Sequence, residues 1–220
     1  MESKKKRKKK MIKTILYDFD GTIGNTNQLI YDSFVHTFNH FNISYTDKEI
    51  YQAFGPTLHH TFSKYSDDEK KINEMIAVYR DFNISNHDAY VKPFPGVLET
   101  IKALDEMGVI QGVVSSKKTD LVYRGLEVTN LLPYMKVVIG GDDVTKHKPD
   151  PEGILTALGK LGVDNCLLVG DNASDILSAK NASCLSCGVS WSVKPLELRE
   201  SKPDFWIENI NELIRIVGDN

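Results

Sequence analysis

The chain has 220 residues, enough for one large domain or a core with a smaller insert, and enough to bury a substantial core. Its 41% apolar and 26% charged content is that of an ordinary globular protein, and no apolar run approaches the length that spans a bilayer. Charge is unevenly placed: residues 4–10 read KKKRKKK, so a chain at −3 overall carries −9 over residues 11–220, and nothing in that acidic part suggests a nucleic-acid surface.

In chain order, residues 1–10 read as a disordered, solvated tail. A nuclear-localisation or polyanion-binding role for them would rest on composition alone. A secretory signal is excluded, because the apolar stretch MIKTILY is broken at once by Asp18. The run IKTILYD (12–18) has the composition of a buried strand. It ends in two acids, Asp18 and Asp20, followed by Gly21 and Thr22. Burying carboxylates is costly unless they are paired or bind a metal, so this strand end needs a chemical reason.

Residues 25–92 read as all helix. TNQLIYDSFVHTFNHF places Ile30, Phe34, Phe38 and Phe41 on one stripe. Thr46 with Glu49 forms a predicted capping box, and Gly55 a stop. Ser66 with Glu69 predicts a second box, opening a helix with Ile72, Met75, Ile76 and Tyr79 on one side. FGPTL (54–58) reads either as a plain turn or as a loop dipping toward a site. His59 and His60 read as surface residues. Glycines before this insert (GTIGNT) and prolines after it (YVKPFPG) make plausible hinges.

From residue 94 onward helices and strands alternate. Helices are predicted over 97–108, 119–128 (capped by Thr119), 151–162 (Pro151 in the first turn, Gly162 at the end) and 174–182. Strands are predicted over 109–116, 135–140, 166–170 and 183–189, with a last strand at DFWI and a last helix at INELIRIVG. This alternation predicts an α/β fold: a Rossmann-like, doubly wound parallel sheet covered on both faces, with an inserted all-helical cap. The expected division is 11–24 with 93–220 as a discontinuous core, and 25–92 as the cap. Cys166, Cys184 and Cys187 are sparse and odd in number, which suits a reducing compartment better than a disulfide scaffold. Cys184 and Cys187 fall on a predicted strand, against a redox motif, which needs a helix start.

Ligands of an open parallel sheet bind beyond the carboxyl ends of its strands. The polar residues stand there. Strand 12–18 ends in Asp18 and Asp20, strand 109–116 in Ser115, Ser116 and Lys117, and strand 166–170 in Asp171, with Asp175 a helical turn later. KHKPDP sets Lys148 just before a helix. Grouped carboxylates without histidine or cysteine suit a hard cation, Mg²⁺ above all.

DFDGT (18–22), VVSSK (113–117), KP (148–149) and GDNASD (170–175), in this order and each at a predicted strand end, resemble the haloacid-dehalogenase superfamily of phosphotransferases over nearly the whole chain after the tail. The resemblance implies a phosphohydrolase working through an aspartyl-phosphate. Asp18 would be the nucleophile and Asp20 the acid and base. Gly21 would let the chain turn, and Thr22 would orient Asp20. The Asp18 side chain, the Asp20 backbone carbonyl and the Asp171 side chain would hold Mg²⁺. Asp175 would hold a metal-bound water and Lys148. Ser115 would bind the transferring phosphoryl group and Lys148 would neutralise its charge. Ser116 and Asn172 read as turn or helix polar groups rather than catalysts, and Gly21, Thr22, Ser116, Lys117 and Thr57 are candidate substrate contacts. Asp20 itself argues for a phosphatase or phosphomutase, since true dehalogenases lack that acid and ion-pump ATPases carry Thr there.

Within the superfamily, NQLIYDSFVHTF, FGPTLHHTF, MIAVYRDFNISNHD and VGDN are similar to the bacterial cytosolic inorganic pyrophosphatases linked to dephosphorylation of serine-phosphorylated HPr. That implies a cytoplasmic enzyme and a small phosphate substrate, with no nucleic-acid or membrane partner. Phosphoglycolate phosphatase is the nearest rival, with β-phosphoglucomutase and a non-catalytic binding module further off. One departure is Asn25, where relatives commonly carry Asp.

Overall fold

The computed structural model describes residues 12–218, so the basic tail lies outside the described residues. A six-stranded, all-parallel sheet runs in the order β5-β4-β1-β6-β7-β8. Its strands are β1 (Thr14–Tyr17), β4 (Ile110–Val114), β5 (Val137–Ile139), β6 (Leu167–Gly170), β7 (Leu185–Val189) and β8 (Phe205–Ile207). The first strand in the chain is thus central, pairing Thr14 with Ile110 on one side and Ile15 with Leu167 on the other. All four of its residues are buried, as expected of a parallel strand covered on both faces.

Alternation along the strands separates two cores. Ile15, Tyr17, Val113 and Val169 meet α5 (Val97–Glu106), α6 (Thr119–Val128) and α10 (Glu212–Gly218). Leu16, Val114 and Leu168 meet α7 (Glu152–Leu161) and α8 (Ala173–Asn181). Helices on both faces make this the doubly wound α/β fold that the sequence pattern predicts. The sequence reading missed α9 (Pro195–Glu200), a short helix opened by a proline, with only Leu198 buried and so no apolar period to detect.

Between β1 and the rest of the sheet come α1 (Asn27–His40), α2 (Asp47–Gln52), α3 (Leu58–Phe62) and α4 (Glu69–Tyr90). They share a cluster of their own, in which Phe34, Phe38, Phe62 and Tyr79 stack and tilt against one another. The two chain crossings into this insert pair with each other as an antiparallel ribbon, β2 (Gly24–Asn25) with β3 (Lys92–Pro93). Asn25 sits exposed in that ribbon.

Local signals hold in part. The Thr46–Glu49 capping box forms, with Thr46 N donating to Glu49 Oε2 at 2.8 Å. The second box does not: Asp68 caps α4 by accepting from Lys70 N at 2.9 Å, and Ser66 Oγ accepts from Asp68 N instead. Asp68 is the acid nearest the helix start, so it outcompetes the serine. Thr119 is not a cap either. It is the first residue of α6, and its N–H and hydroxyl both donate to Asp142 Oδ1, 23 residues further along the chain. Helix α2 stops at Ala53, and Gly55 takes a left-handed turn (φ +97°) beyond it.

Candidate active site

Strand β1 delivers Asp18 to the rim, and the ladder continues one residue further, Asp18 N donating to Val169 O at 2.9 Å. Phe19 then turns inward and is fully buried. Its ring is seated by two glycines: a Cβ on Gly24 would lie 2.8 Å from it and one on Gly125 2.4 Å. With Phe19 anchored below, Asp18 and Asp20 are both held at the rim. Gly21 follows with φ +80°, and a Cβ there would meet Asp171 Oδ2 at 2.5 Å. Glycine is required twice over, for the turn and for the approach of the acid.

Lys148 is the hub. Its Nζ donates to Asp18 Oδ1 at 2.9 Å, to Asp175 Oδ1 at 2.7 Å and to Val114 O at 2.7 Å. Asp175 Oδ2 accepts from Asn172 N at 3.0 Å, closing the capping box of α8. Oxygen atoms of Asp18, Asp171 and Asp175 all lie within 4.8 Å of one another. Burial pushes the Asp18 carboxyl up to about 6, against the pull of Lys148, with Asp175 and Asp20 adding to the rise. Burial, and then Asp18, push Asp171 well above the usual carboxylate range. For Lys148, burial works against the charge, but Asp175 and Asp18 outweigh it and its pKa rises.

Three neighbouring buried carboxylates, two of them paired with one ammonium, leave negative charge that a cation would neutralise. An all-oxygen donor set fits a hard divalent ion, Mg²⁺ among them. The Asp20 side chain is outside this group of oxygens. It accepts instead from Lys117 Nζ at 2.9 Å, and that ammonium lies 5.6 Å from the centre of the Phe19 ring.

One expectation needs correction. Thr22 does not orient Asp20: its hydroxyl donates to Asp171 Oδ1 at 3.1 Å, because the turn at Gly21 swings it toward β6. Lys117 stands at the cavity wall, where its ammonium donates to the Asp20 carboxylate. Ser115 is buried at the end of β4 and its Oγ accepts from Lys117 N at 3.4 Å. Ser115, Ser116, Lys117 and Lys148 line a cavity of about 400 Å³ together with Asp18, Asp20, Asp171 and Asp175. Thr57 lines it from the insert, its Oγ1 capping α3 by accepting from His60 N at 3.2 Å. FGPTL therefore is a loop at the site. His59 also reaches the cavity wall while pairing with Glu69, and His60 is exposed.

Several contributors escaped the sequence reading. Trp191 Nε1 donates to Thr22 O at 3.2 Å, and Ser192 Oγ to Asp171 O at 2.6 Å, fixing the backbone on either side of the acids. Tyr79, Arg80 and Asn83 bring one face of α4 to the cavity. The Asn-x-x-Asp spacing of 172 to 175 was a legible capping-box signal. Trp191 and Ser192 carried none, as their partners lie far off in the chain.

The profile described as haloacid dehalogenase-like hydrolase matches residues 15–189. The chain is 42% identical over 212 residues to the pyrophosphatase PpaX of Oceanobacillus iheyensis, covering 95% of this chain and 98% of that one. It is 42% identical over 210 residues to the pyrophosphatase PpaX of Bacillus pumilus, covering 94% and 97%. Among solved structures, a protein from Bacteroides fragilis described as a haloacid dehalogenase-like hydrolase superposes with a TM-score of 0.86 at 27% identity, over 92% of this chain and 99% of that one. A protein from Lactobacillus plantarum described as a phosphoglycolate phosphatase superposes at 0.85 with 21% identity, over 94% and 100%, a likeness of fold.

Proposed function

Since the chain belongs to the haloacid dehalogenase-like hydrolases, and is a phosphatase of that family, we propose that it hydrolyses inorganic pyrophosphate in the cytoplasm through an aspartyl-phosphate on Asp18. The observation that carries the chemistry is the meeting of Asp18, Asp171 and Asp175, the first and last of them paired with Lys148, with Asp20 held apart on its own lysine. Two acids in different surroundings suit two roles. A carboxylate oxygen of Asp18 attacks phosphorus and the bridging bond breaks. Asp20 donates its proton to the leaving oxygen, then takes one from the water that attacks the phosphoenzyme, releasing phosphate and restoring Asp18. Lys117 keeps the Asp20 carboxyl aimed into the cavity. Lys148 and Ser115 offset the charge of the transferring group.

Asp18 and Asp171, with the backbone carbonyl of Asp20, are the groups we assign to Mg²⁺, and Asp175 to a metal-bound water and Lys148. The ion when bound would neutralise charge on the phosphoryl oxygens and on Asp18. Helices α1 to α4 serve as the cap, contributing Thr57 to the substrate side. The three cysteines are buried, none of them in a disulfide among the described residues, which suits the reducing cytoplasm. No helix among the described residues is long and apolar enough to cross a membrane.

The choice of pyrophosphate is supported by the two full-length relatives named pyrophosphatase. The test compares kcat/KM for pyrophosphate, 2-phosphoglycolate, sugar phosphates and nucleotides under one set of conditions. Pyrophosphate should lead. If 2-phosphoglycolate leads instead, the substrate assignment is wrong while the chemistry of the site stands.

A further inference from the structure

The turn after β7 reaches across to the helical insert. Val193 packs against the insert's own apolar cluster. The next residue, Lys194, donates from Nζ to Gln52 O at 3.0 Å and to Phe54 O at 2.8 Å. Phe54 O also accepts from Asn172 Nδ2 at 3.3 Å. On the other side of the turn, Ser192 Oγ donates to Asp171 O at 2.6 Å and accepts from Lys194 N at 2.9 Å. The contacts form a ring: Asp171, Ser192, Lys194, Phe54, Asn172, and back to Asp171 along the chain. Gly55 closes down on it, since a Cβ there would stand 2.4 Å from Asn172 Nδ2.

Each link has a physical reason. The carbonyl of Gln52 ends α2, where helix geometry leaves acceptors without intrahelical partners and the dipole is negative, so an ammonium both satisfies and complements it. Residues 53–57 belong to no helix or strand, and among the described residues the backbone of Gly55, Pro56 and Thr57 makes no hydrogen bond to α2, which Ala53 N and Phe54 N do reach. Hydrogen bonds from a charged donor are the stronger kind. Lys194 is not among the side chains that line the cavity, whereas Phe54, Gly55, Pro56 and Thr57 are.

We propose that Lys194 is a positioning residue, which seats the Phe54–Thr57 loop on the rim beside Asp171 and so registers the cap's substrate-facing wall to the acidic group. Ser192 and Asn172 transmit that register to the peptide that follows Asp171. The inference stands on these contacts and holds whichever small phosphate is the substrate.

The test uses Lys194→Met, which keeps the aliphatic reach and removes the donors, and Lys194→Arg, which keeps a charged donor. Amide hydrogen exchange is followed in the substrate-free protein, and kcat and KM are measured with pyrophosphate and with para-nitrophenyl phosphate. In K194M, exchange over residues 53–62 should rise roughly tenfold or more, as expected for loss of charged hydrogen bonds, with the sheet strands unchanged. KM should rise by more than kcat falls, and K194R should recover both. Unchanged exchange at 53–62, a rise spread evenly over the sheet, or a KM unmoved for both substrates overturns the proposal. Failure of the unsubstituted enzyme to hydrolyse pyrophosphate would sink the substrate reading instead, leaving exchange and the aryl phosphate to decide this one.

Discussion

Asp18 and Asp20 differ in what surrounds them, and that difference predicts how each substitution behaves. Asp18→Asn keeps shape and can still accept from Lys148, so the fold should persist while turnover disappears, because an amide does not attack phosphorus. Asp20→Asn should lose about 10²–10⁴-fold, the usual worth of general acid–base help. Steady-state assays with circular dichroism as a fold control check both. A variant Asp18→Asn retaining a tenth of the activity would exclude an aspartyl-phosphate. The residues placed at strand ends by the sequence reading do gather: Asp18, Asp20, Ser115, Lys148, Asp171 and Asp175 share one cavity. What the sequence could not show was who holds whom. Thr22 is nearer in sequence to Asp20 but serves Asp171, and Lys117 serves Asp20 across the sheet, because tertiary geometry, not chain distance, sets hydrogen-bond partners.

At the scale of elements, legibility followed periodicity. Helices α1 and α4 show their apolar stripes because one face of each is buried against the other, so 3.6-residue spacing survives in the sequence. Short elements left no such trace: α3 and α9 are five and six residues long and are defined by caps and tertiary contacts. The insert's stability rests on its aromatic cluster. Phe38 is fully buried there and sits within 6.2 Å, centroid to centroid, of Phe34, Tyr45, Phe62 and Tyr65. Phe38→Ala should destabilise by about 3–5 kcal/mol, the range for truncating a buried phenylalanine. Urea denaturation would measure it. A loss under 1 kcal/mol would mean that the cluster collapses around the gap or is already loose.

For the whole molecule, protons and a cation compete for the same buried acids. The folded-state pKa values of Asp18, about 6, and of Asp171 are raised above their unfolded values. In the metal-free protein these two acids therefore favour the folded state at low pH, and that contribution is lost as pH rises toward and past 6. A bound divalent cation needs them ionised and reverses the penalty. Added Mg²⁺ should thus raise Tm more at pH 7.5 than at pH 5, and EDTA should abolish activity that Mg²⁺ restores. Thermal melts with and without Mg²⁺ at the two pH values test this. A Tm shift equal at both, or activity in EDTA-treated enzyme, would remove the ion from the site.

The place of β1 in the sheet has a consequence during synthesis. This strand leaves the ribosome first, yet its partners β4 and β6 are far down the chain, at Ile110 and Leu167. Helices α1 to α4 emerge next and make mostly local contacts, so they can condense early, whereas the sheet waits for long-range pairing, the slow kind. A strand that the fold buries along its whole length is thereby left without a partner while much of the chain is still being made, a state prone to aggregation. Ribosome-bound chains ending before residue 160 should accordingly yield a protease-resistant fragment from the helical insert and a β1 open to cleavage or chaperone capture, and Asp18, the residue proposed to attack phosphorus, would take its place only once the Val169 carbonyl arrives to accept its N–H.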